Sequence, residues 1–530
     1  MKKSMAKEML ETLRLYKQSR NEMDKKIIEN ENWFKGDYWQ YIKGGNGGDG
    51  SEPTTPFIFN ACWNKHADAM DNYPEPVFLE REASDRAEAE SLSKIVPLVL
   101  EKADFEKVYS DVWWYKLKQG AGVYGILWDN NRDNGQGDIA IKKIDLLRFY
   151  CEPNIEDIQD SRFLFVLSLA DTATLQSEYK NLKIKDDAIN STSDGYFGEY
   201  SQEALKGKTL VIDCYEKSRN KDGDAVVHLT KLAGEEVLYS TRNDKTLSEN
   251  GLYDHGKYPF VIDKFIPIEN SVFGMGLIDV AKGTQAYIDK LDYLIERNCI
   301  ISGKPRWLVK NASGINKEAL MDMSVDVVPC DTAVDDGAIR PVQASPIPNH
   351  VMIHRQNKIS ELKEVIGNRD FTQGGTIGGV TAYGAITALQ ETGAKLSRDN
   401  IKESYRVFHD IAYFCVELIR QFYDAQRNFR ILGKNGDVEY LSVDKNLIKS
   451  RSSHYKSAIF DIRIVPQRKN PFNTISHNQL ILDLMKMGAF TPQMAESSAI
   501  ALDAMILDNK DEIIRKLKVS ADSYDDSPYN

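Results

Sequence analysis

The sequence predicts an α+β fold, largely helical, and three observations carry that prediction. Apolar residues recur at helical spacing through most of the first 120 residues. From 122 to 269 the pattern changes to short β-rich runs around Asp, Asn and Gly turns. Beyond 277 helical periods return, interrupted by a compact insert and a cluster of glycines. Helices first and strands after point to an α+β body rather than alternating βα units.

Residues 4–34 read as a helix with Met9, Leu13, Tyr16 and Met23 at roughly helical spacing. A glycine-rich loop (43–56) leads to a second helix over 57–73, followed by the extended "PEPVFLER". Residues 84–120 supply one or two helices, opened by Ser84 or Asp85 as the cap. "GVYGILWDNNRDNGQGDIAIKKID" (122–145) reads as a hairpin, and 209–240 repeats it with "KDGD" as the turn. A further strand lies in 257–269, so 1–270 forms one α+β body.

The later half is more helical. A helix of about 37 Å covers 277–301 at 1.5 Å per residue. An insert (303–346) follows, with "RWLVK", "NKEALMDM" and "VDVVPCD", and then a helix over 349–366. "FTQGGTIGGV" introduces a helical pattern over 381–427, about 70 Å if uninterrupted, with Gly384 and Gly393 as its weak points. A small β region (429–465), helices in 475–518 and a disordered "SADSYDDSPYN" close the chain.

The bulk numbers narrow the function classes. The net charge of −11 over 530 residues, without blocks of like charge, argues against a nonspecific nucleic-acid clamp. It is compatible with a protein that lets DNA pass without holding it. The six cysteines are scattered, with no CxxC pair, which predicts a reducing compartment and no zinc site. The N-terminus lacks an apolar signal region, and no run of ~18 apolar residues suggests a membrane span.

Three motifs invite chemistry and fail on inspection. Gly374 and Gly379 have Walker A spacing, but Val380 and Thr381 replace the Lys and Ser/Thr that such a motif needs. The glycines are GG-x-x-GG, which is not the dinucleotide fingerprint, and a helix rather than a strand precedes them. His350 and His354 share a helix face, but Val351 stands where a metalloprotease carries its Glu. Asp129, Asn131 and Asp133 resemble a calcium loop whose twelfth position, Ala140, supplies no carboxylate. No triad motif is present, so the reading is non-enzymatic, with no cofactor and no metal. The rival reading is a nucleotide- or nucleic-acid-acting enzyme using the glycine loop and the His pair.

The order of parts resembles the portal (head-to-tail connector) protein of tailed bacteriophages, podovirus-like, across nearly the whole chain. "NENWFKGDYWQYI" (30–42), with Trp33, Phe34, Gly36 and Trp39, is similar to the aromatic-glycine element near the start of many portals. "FIFNACWNKHADAMDNYPEPVFLER" resembles the helix that follows it, and "QGAGVYGILWDNN…GDIAIKKIDLLRFYCEPNIEDIQDSRFLF" looks like the portal wing. The resemblance implies an N-terminal wing (1–270), a first stem helix (271–302), a clip (303–347) and a second stem helix (348–367). It further implies a tunnel loop (368–380), a long wing helix (381–428), a small β region (429–470) and C-terminal helices with a tail (471–530). Only a short helical stretch follows the β region, so a long C-terminal helical barrel, common in podovirus-like portals, is not expected; a different phage connector ring is the other rival reading.

The resemblance also implies a function: a ring, dodecameric, at one capsid vertex, through which double-stranded DNA is packaged and ejected. Its partners would be the terminase large subunit, adaptor and tail proteins, the major capsid protein and scaffold, with no membrane. The chain would be assembled in the host bacterial cytoplasm and reside in the virion. Arg369, Thr372, Gln373, Gly374, Gly375, Thr376, Ile377, Gly378 and Gly379 would line the DNA channel. Lys395 and Arg398 would add weak phosphate contacts, and Lys304, Arg306, Trp307 and Lys317 would form the docking surface of the clip. The mixed charges Asp279, Lys282, Asp289, Lys290, Asp292, Glu296 and Arg297 on the first stem helix would pair between subunits. Twelve copies would carry twelve times −11, which disfavours DNA adhering to the ring.

Overall fold

A computed structural model describes residues 3–43, 52–179, 206–303, 306–309, 339–342, 346–367, 395–423, 427–432, 438–443 and 460–468, with a few isolated helical positions beyond. The chain divides into two units, 1–70 with 75–465 and 71–74 with 466–530. The elements below lie in the first, save the last residue of the helix Phe57–Asp71 and parts of the strands Asn72–Glu80 and Phe460–Arg468.

Its helices are α1 (Lys3–Lys35), α2 (Phe57–Asp71), α3 (Arg86–Lys102), α4 (Phe105–Gln119), α5 (Thr172–Glu178), α6 (Leu277–Gly303), α7 (Asn349–Ile366) and α8 (Lys395–Phe422). The expected helix over 84–120 is thus two. Asp104, at φ 52°, turns the chain between α3 and α4. Asp85 does not cap α3: it closes a 3-10 turn at φ −100°, ψ 2°, outside the extended region a capping residue occupies, and makes no capping hydrogen bond.

The strands are β1 (Asn72–Glu80), β2 (Ala121–Asp129), β3 (Asp138–Ile144), β4 (Phe149–Tyr150), β5 (Phe163–Asp171), β6 (Lys208–Arg219), β7 (Ala225–Ala233), β8 (Glu236–Ser240) and β9 (Phe260–Lys264). Later come β10 (Arg306–Val309), β11 (Ile339–Val342), β12 (Arg427–Leu432), β13 (Val438–Val443) and β14 (Phe460–Arg468). β2 pairs antiparallel with β3 on one side and β9 on the other. A five-stranded antiparallel meander runs β4-β5-β6-β7-β8. The "KDGD" turn is held by Asn220 Oδ1, which accepts from the backbone of Asp222 and Asp224 at 3.0 and 2.8 Å.

The core lies between these layers. Ala6, Met9 and Leu13 of α1 press on Phe163, Phe165, Leu167, Ile212 and Leu232 of the meander. A second cluster joins the two sheets through Val123, Phe149, Leu164, Tyr215, Val227, Tyr258 and Phe260.

The start of α6 is set by glycine. Gly120 ends α4 at φ 87°, and a Cβ there would lie 2.4 Å from the carbonyl oxygen of Gly274. A Cβ on Gly276 would meet the Lys118 carbonyl oxygen at 2.6 Å, so only glycine lets these backbones close. Residues 271–276, which the resemblance grouped with the first stem helix, form a bend, and helix begins at Leu277, where the helical spacing placed it.

The helix expected over 381–428 is described as Lys395–Phe422; 381–394 lie outside the described residues. It does not reach 428. Tyr423 donates to Asp138 Oδ1 at 2.7 Å, and the Arg427 guanidinium lies 4.0 Å over the Tyr423 ring. Arg427 opens β12, which pairs antiparallel with β13.

Candidate functional site

The feature most distinct from the α+β body is the pair α6/α7. Lys358 Nζ lies 5.7 Å from the Tyr287 ring centre, and Arg355 binds Asp292 through two nitrogens, Nη2 at 2.9 Å. Advancing from 287 to 292 on α6 moves from 358 to 355 on α7, so the helices are antiparallel. The strands that continue from them, β10 and β11, also pair antiparallel, with Arg306 opposite Val342 and Trp307 opposite Pro341. The result is a helical hairpin drawn out into a two-stranded ribbon. Arg355 is held above its usual pKa chiefly by the hydrogen bond to Asp292.

The inner end of α6 is tied to the N-terminal segment. Asp279 Oδ2 takes Lys26 at 2.8 Å and the backbone N–H of Gly276 at 2.8 Å, and Lys282 reaches Glu29 at 2.9 Å. Further along, buried Asp289 accepts from Tyr38 Oη at 2.6 Å, from Gln285 Nε2 at 3.1 and 3.0 Å, and from the Thr55 backbone at 3.4 Å. Burial pushes the Asp289 carboxyl pKa up, opposed by these bonds, and burial with Asp289 pushes the Tyr38 hydroxyl up.

This corrects one expectation. Asp279, Lys282, Asp289 and Asp292 find partners within their own chain: Lys26 and Glu29 of α1, Tyr38 beyond it, and Arg355 of α7. Of the charges expected to pair between subunits, Lys290, Glu296 and Arg297 stay exposed. The pair also exposes large apolar groups: Tyr287, Leu294 and Ile300 on α6, and Met352, Ile353 and Val365 on α7. Leu294 and Ile353 are 58% and 56% exposed, unusually open for large apolar side chains.

The other candidate elements meet at the ends of the glycine-rich segment. α7 stops at Gly367, φ 69°, whose N–H caps the Glu364 and Lys363 carbonyls. α8 resumes at Lys395. Lys65 of α2 donates to Ser397 Oγ at 2.8 Å and to the Gly367 carbonyl at 3.5 Å, and Ser397 in turn donates to Asp68 Oδ2 at 2.8 Å. Lys395 and Arg398 are exposed on the first turn of α8.

The sequence-derived site residues divide accordingly. Arg369, Thr372, Gln373, Gly374, Gly375, Thr376, Ile377, Gly378 and Gly379 lie outside the described residues, as do Lys304 and Lys317. Arg306 and Trp307 lie on β10. His350 and His354 are both exposed, His354 edge-on to Tyr287 at 5.7 Å. Among the described residues no three His, Cys, Asp or Glu side chains cluster as a metal site. The Asp133 carboxylate of the calcium-like loop is met by Lys102 at 3.2 Å and Arg427 at 3.8 Å. No helix among the described residues is long and apolar enough to cross a membrane.

Sequence reasoning missed Lys65, although a signal for it existed. Ile58, Cys62 and Ala69 are buried on α2, and Lys65 falls on the same stripe. A lysine in a core-facing register needs a partner, which the pattern signals without naming.

Comparison with known proteins adds an independent line. The family model of Phage P22-like portal proteins matches residues 309–526. No curated protein matches the chain. The stretches that carried the resemblance by sequence, at 30–42, 57–81 and 119–165, lie outside the matched residues, and the podovirus-like character of that resemblance agrees with the P22-like family. Portal proteins of phages are structural components of the virion capsid rather than enzymes.

Proposed function

We propose that this chain is a phage portal protein, a reading supported by the match over residues 309–526, and that it forms a dodecameric ring at a unique capsid vertex. The ring is the conduit for DNA packaging and ejection. It docks the terminase large subunit and adaptor or tail proteins on the insert between α6 and α7, and it meets the major capsid protein and scaffold. Residues 368–380 face the DNA, and Lys395 and Arg398 give weak phosphate contacts.

The observation that supports this reading most is the α6/α7 hairpin. It carries large exposed apolar residues and ends in an antiparallel ribbon, the form of a stem that must pack against neighbours. Heterologous contacts of this kind close into rings when the rotation between copies is right. The exposed charges Lys290, Glu296 and Arg297 add little, since surface pairs contribute about 0–1 kcal/mol each.

Native mass measurement and negative-stain imaging of the purified chain test the reading. The expected result is a ring of about twelve 60.1 kDa subunits with a central channel. A compact dimer stabilised by nucleotide or metal overturns it. So does a chain that stays monomeric both alone and when produced together with its capsid and scaffold proteins.

A further inference from the structure

Lys65 stands where three elements meet, and each contact has a different partner. Its ammonium reaches Ser397 Oγ on the first turn of α8 at 2.8 Å and the carbonyl of Gly367, the residue that terminates α7, at 3.5 Å. Asp68, one turn further along α2, accepts from the same Ser397 at 2.8 Å and completes the bridge.

The post itself is fixed. Ile58, Ala61, Cys62 and Ala69 bury one face of α2. Beside Lys65, His66 stacks on Trp114 with ring centres 4.2 Å apart and shares a hydrogen bond with Ser110 Oγ at 2.9 Å. α2 is thereby locked to α4. Burial lowers the Lys65 pKa while Asp68 opposes the shift, as expected of a charge held among protein groups rather than in water.

We infer that Lys65 is a positioning residue that fixes the spacing between the C-terminus of α7 and the N-terminus of α8. The covalent segment 368–394 leaves from one of these points and returns to the other. A single ammonium therefore sets both of its attachment points against the rigid α2–α4 pair. A lysine suits the task because it donates three hydrogen bonds from one point. The functional meaning of this anchorage rests on the reading of residues 368–380 as channel-facing: each subunit would present the segment from the same two points. The anchorage itself is a matter of the single chain.

Hydrogen exchange on the full-length chain, with Lys65→Met, Ser397→Ala and Lys65→Arg, tests it. Losing a hydrogen bond to a charged group should raise local opening by about tenfold. Lys65→Met is expected to accelerate exchange in both 363–367 and 398–402, leaving 105–119 within about twofold. Ser397→Ala should accelerate only the α8 end, which a general loosening of the fold would not do. Lys65→Arg should retain most of the protection. Faster exchange at neither end, or equal acceleration everywhere in Lys65→Met and at both ends in Ser397→Ala, overturns the assignment. If Lys65→Met does not fold, the one-ended effect of Ser397→Ala and the protection kept by Lys65→Arg decide the matter. None of these readouts requires a ring, so a failure here and a failure of the portal reading are distinguishable.

Discussion

Lys116 Nζ lies 2.7 Å from Asp263 Oδ1, with the two side chains 0% and 1% exposed. Ser404 of α8 joins them, 2.8 Å from the ammonium and 2.6 Å from Asp263 Oδ2, so the pair fastens α8 to α4 and β9. Burial pushes the Lys116 pKa down and the Asp263 pKa up, and each partner opposes the shift of the other. Removing one charge strands the other in a dry site. Lys116→Met is therefore expected to cost about 3–5 kcal/mol in denaturant unfolding. Lys116→Met with Asp263→Leu should be more stable than either single variant. Additive losses in the double variant would show that the two groups act separately.

Asp289 has no cation among its hydrogen-bond partners, which are Tyr38, Gln285 and Thr55. Burial raises its pKa above the unfolded carboxylate value, so the folded chain holds a proton that the unfolded chain has released. Between those two pKa values stability falls as pH rises, and this contribution is greatest on the acid side. Asp289→Asn, uncharged at every pH, should flatten that slope and stay within about 1 kcal/mol of the parent at pH 7. Thermal melts from pH 4 to 8 decide it. An Asn variant with an unchanged slope assigns the pH dependence to other groups.

The cysteines should separate cleanly by reactivity. Burial pushes the thiols of Cys62 and Cys415 up to about 12 and that of Cys151 to about 11, and raises Cys214 as well. The thiolate is the reactive form, so these four should resist maleimide in the native chain at pH 7.5. Cys299, exposed near the end of α6, should label within minutes. Peptide mapping that finds modified Cys62 or Cys415 without unfolding would contradict the packing of α2 or α8.

Helical periodicity located α1, α2, α6 and α7 to within a few residues, because each buries one stripe against a layer and its spacing shows it. Three things were hidden. Sheet order is one: nothing local in "KYPFVIDKF" says that β9 pairs with β2, more than 130 residues earlier. The close backbone approach behind the bend at 271–276 is another, since Gly274 and Gly276 matter only because residues 118–120 come to meet them. The site is the third. Charges on α6 looked free to pair between subunits, yet Asp279, Lys282 and Asp292 are spent on Lys26, Glu29 and Arg355, residues that only folding brings near. What the sequence does show is a charged residue in a core-facing register, as at Lys65, Lys116 and Asp289, and each makes a buried or half-buried contact.

The outer face of the hairpin yields the sharpest test of assembly. Leu294 and Ile353 are 58% and 56% exposed in the single chain, so replacing them with Glu removes little buried area and should change monomer stability by about 0.5 kcal/mol or less. Between subunits the same carboxylates would be desolvated without partners, at a cost of several kcal/mol per copy. Repeated around a ring, that cost is decisive. Native mass spectra of Leu294→Glu with Ile353→Glu should show monomers where the parent shows rings, with melting temperatures within a few degrees. Rings that survive both substitutions would mean that this face looks onto solvent in the assembly, and that the copies touch elsewhere.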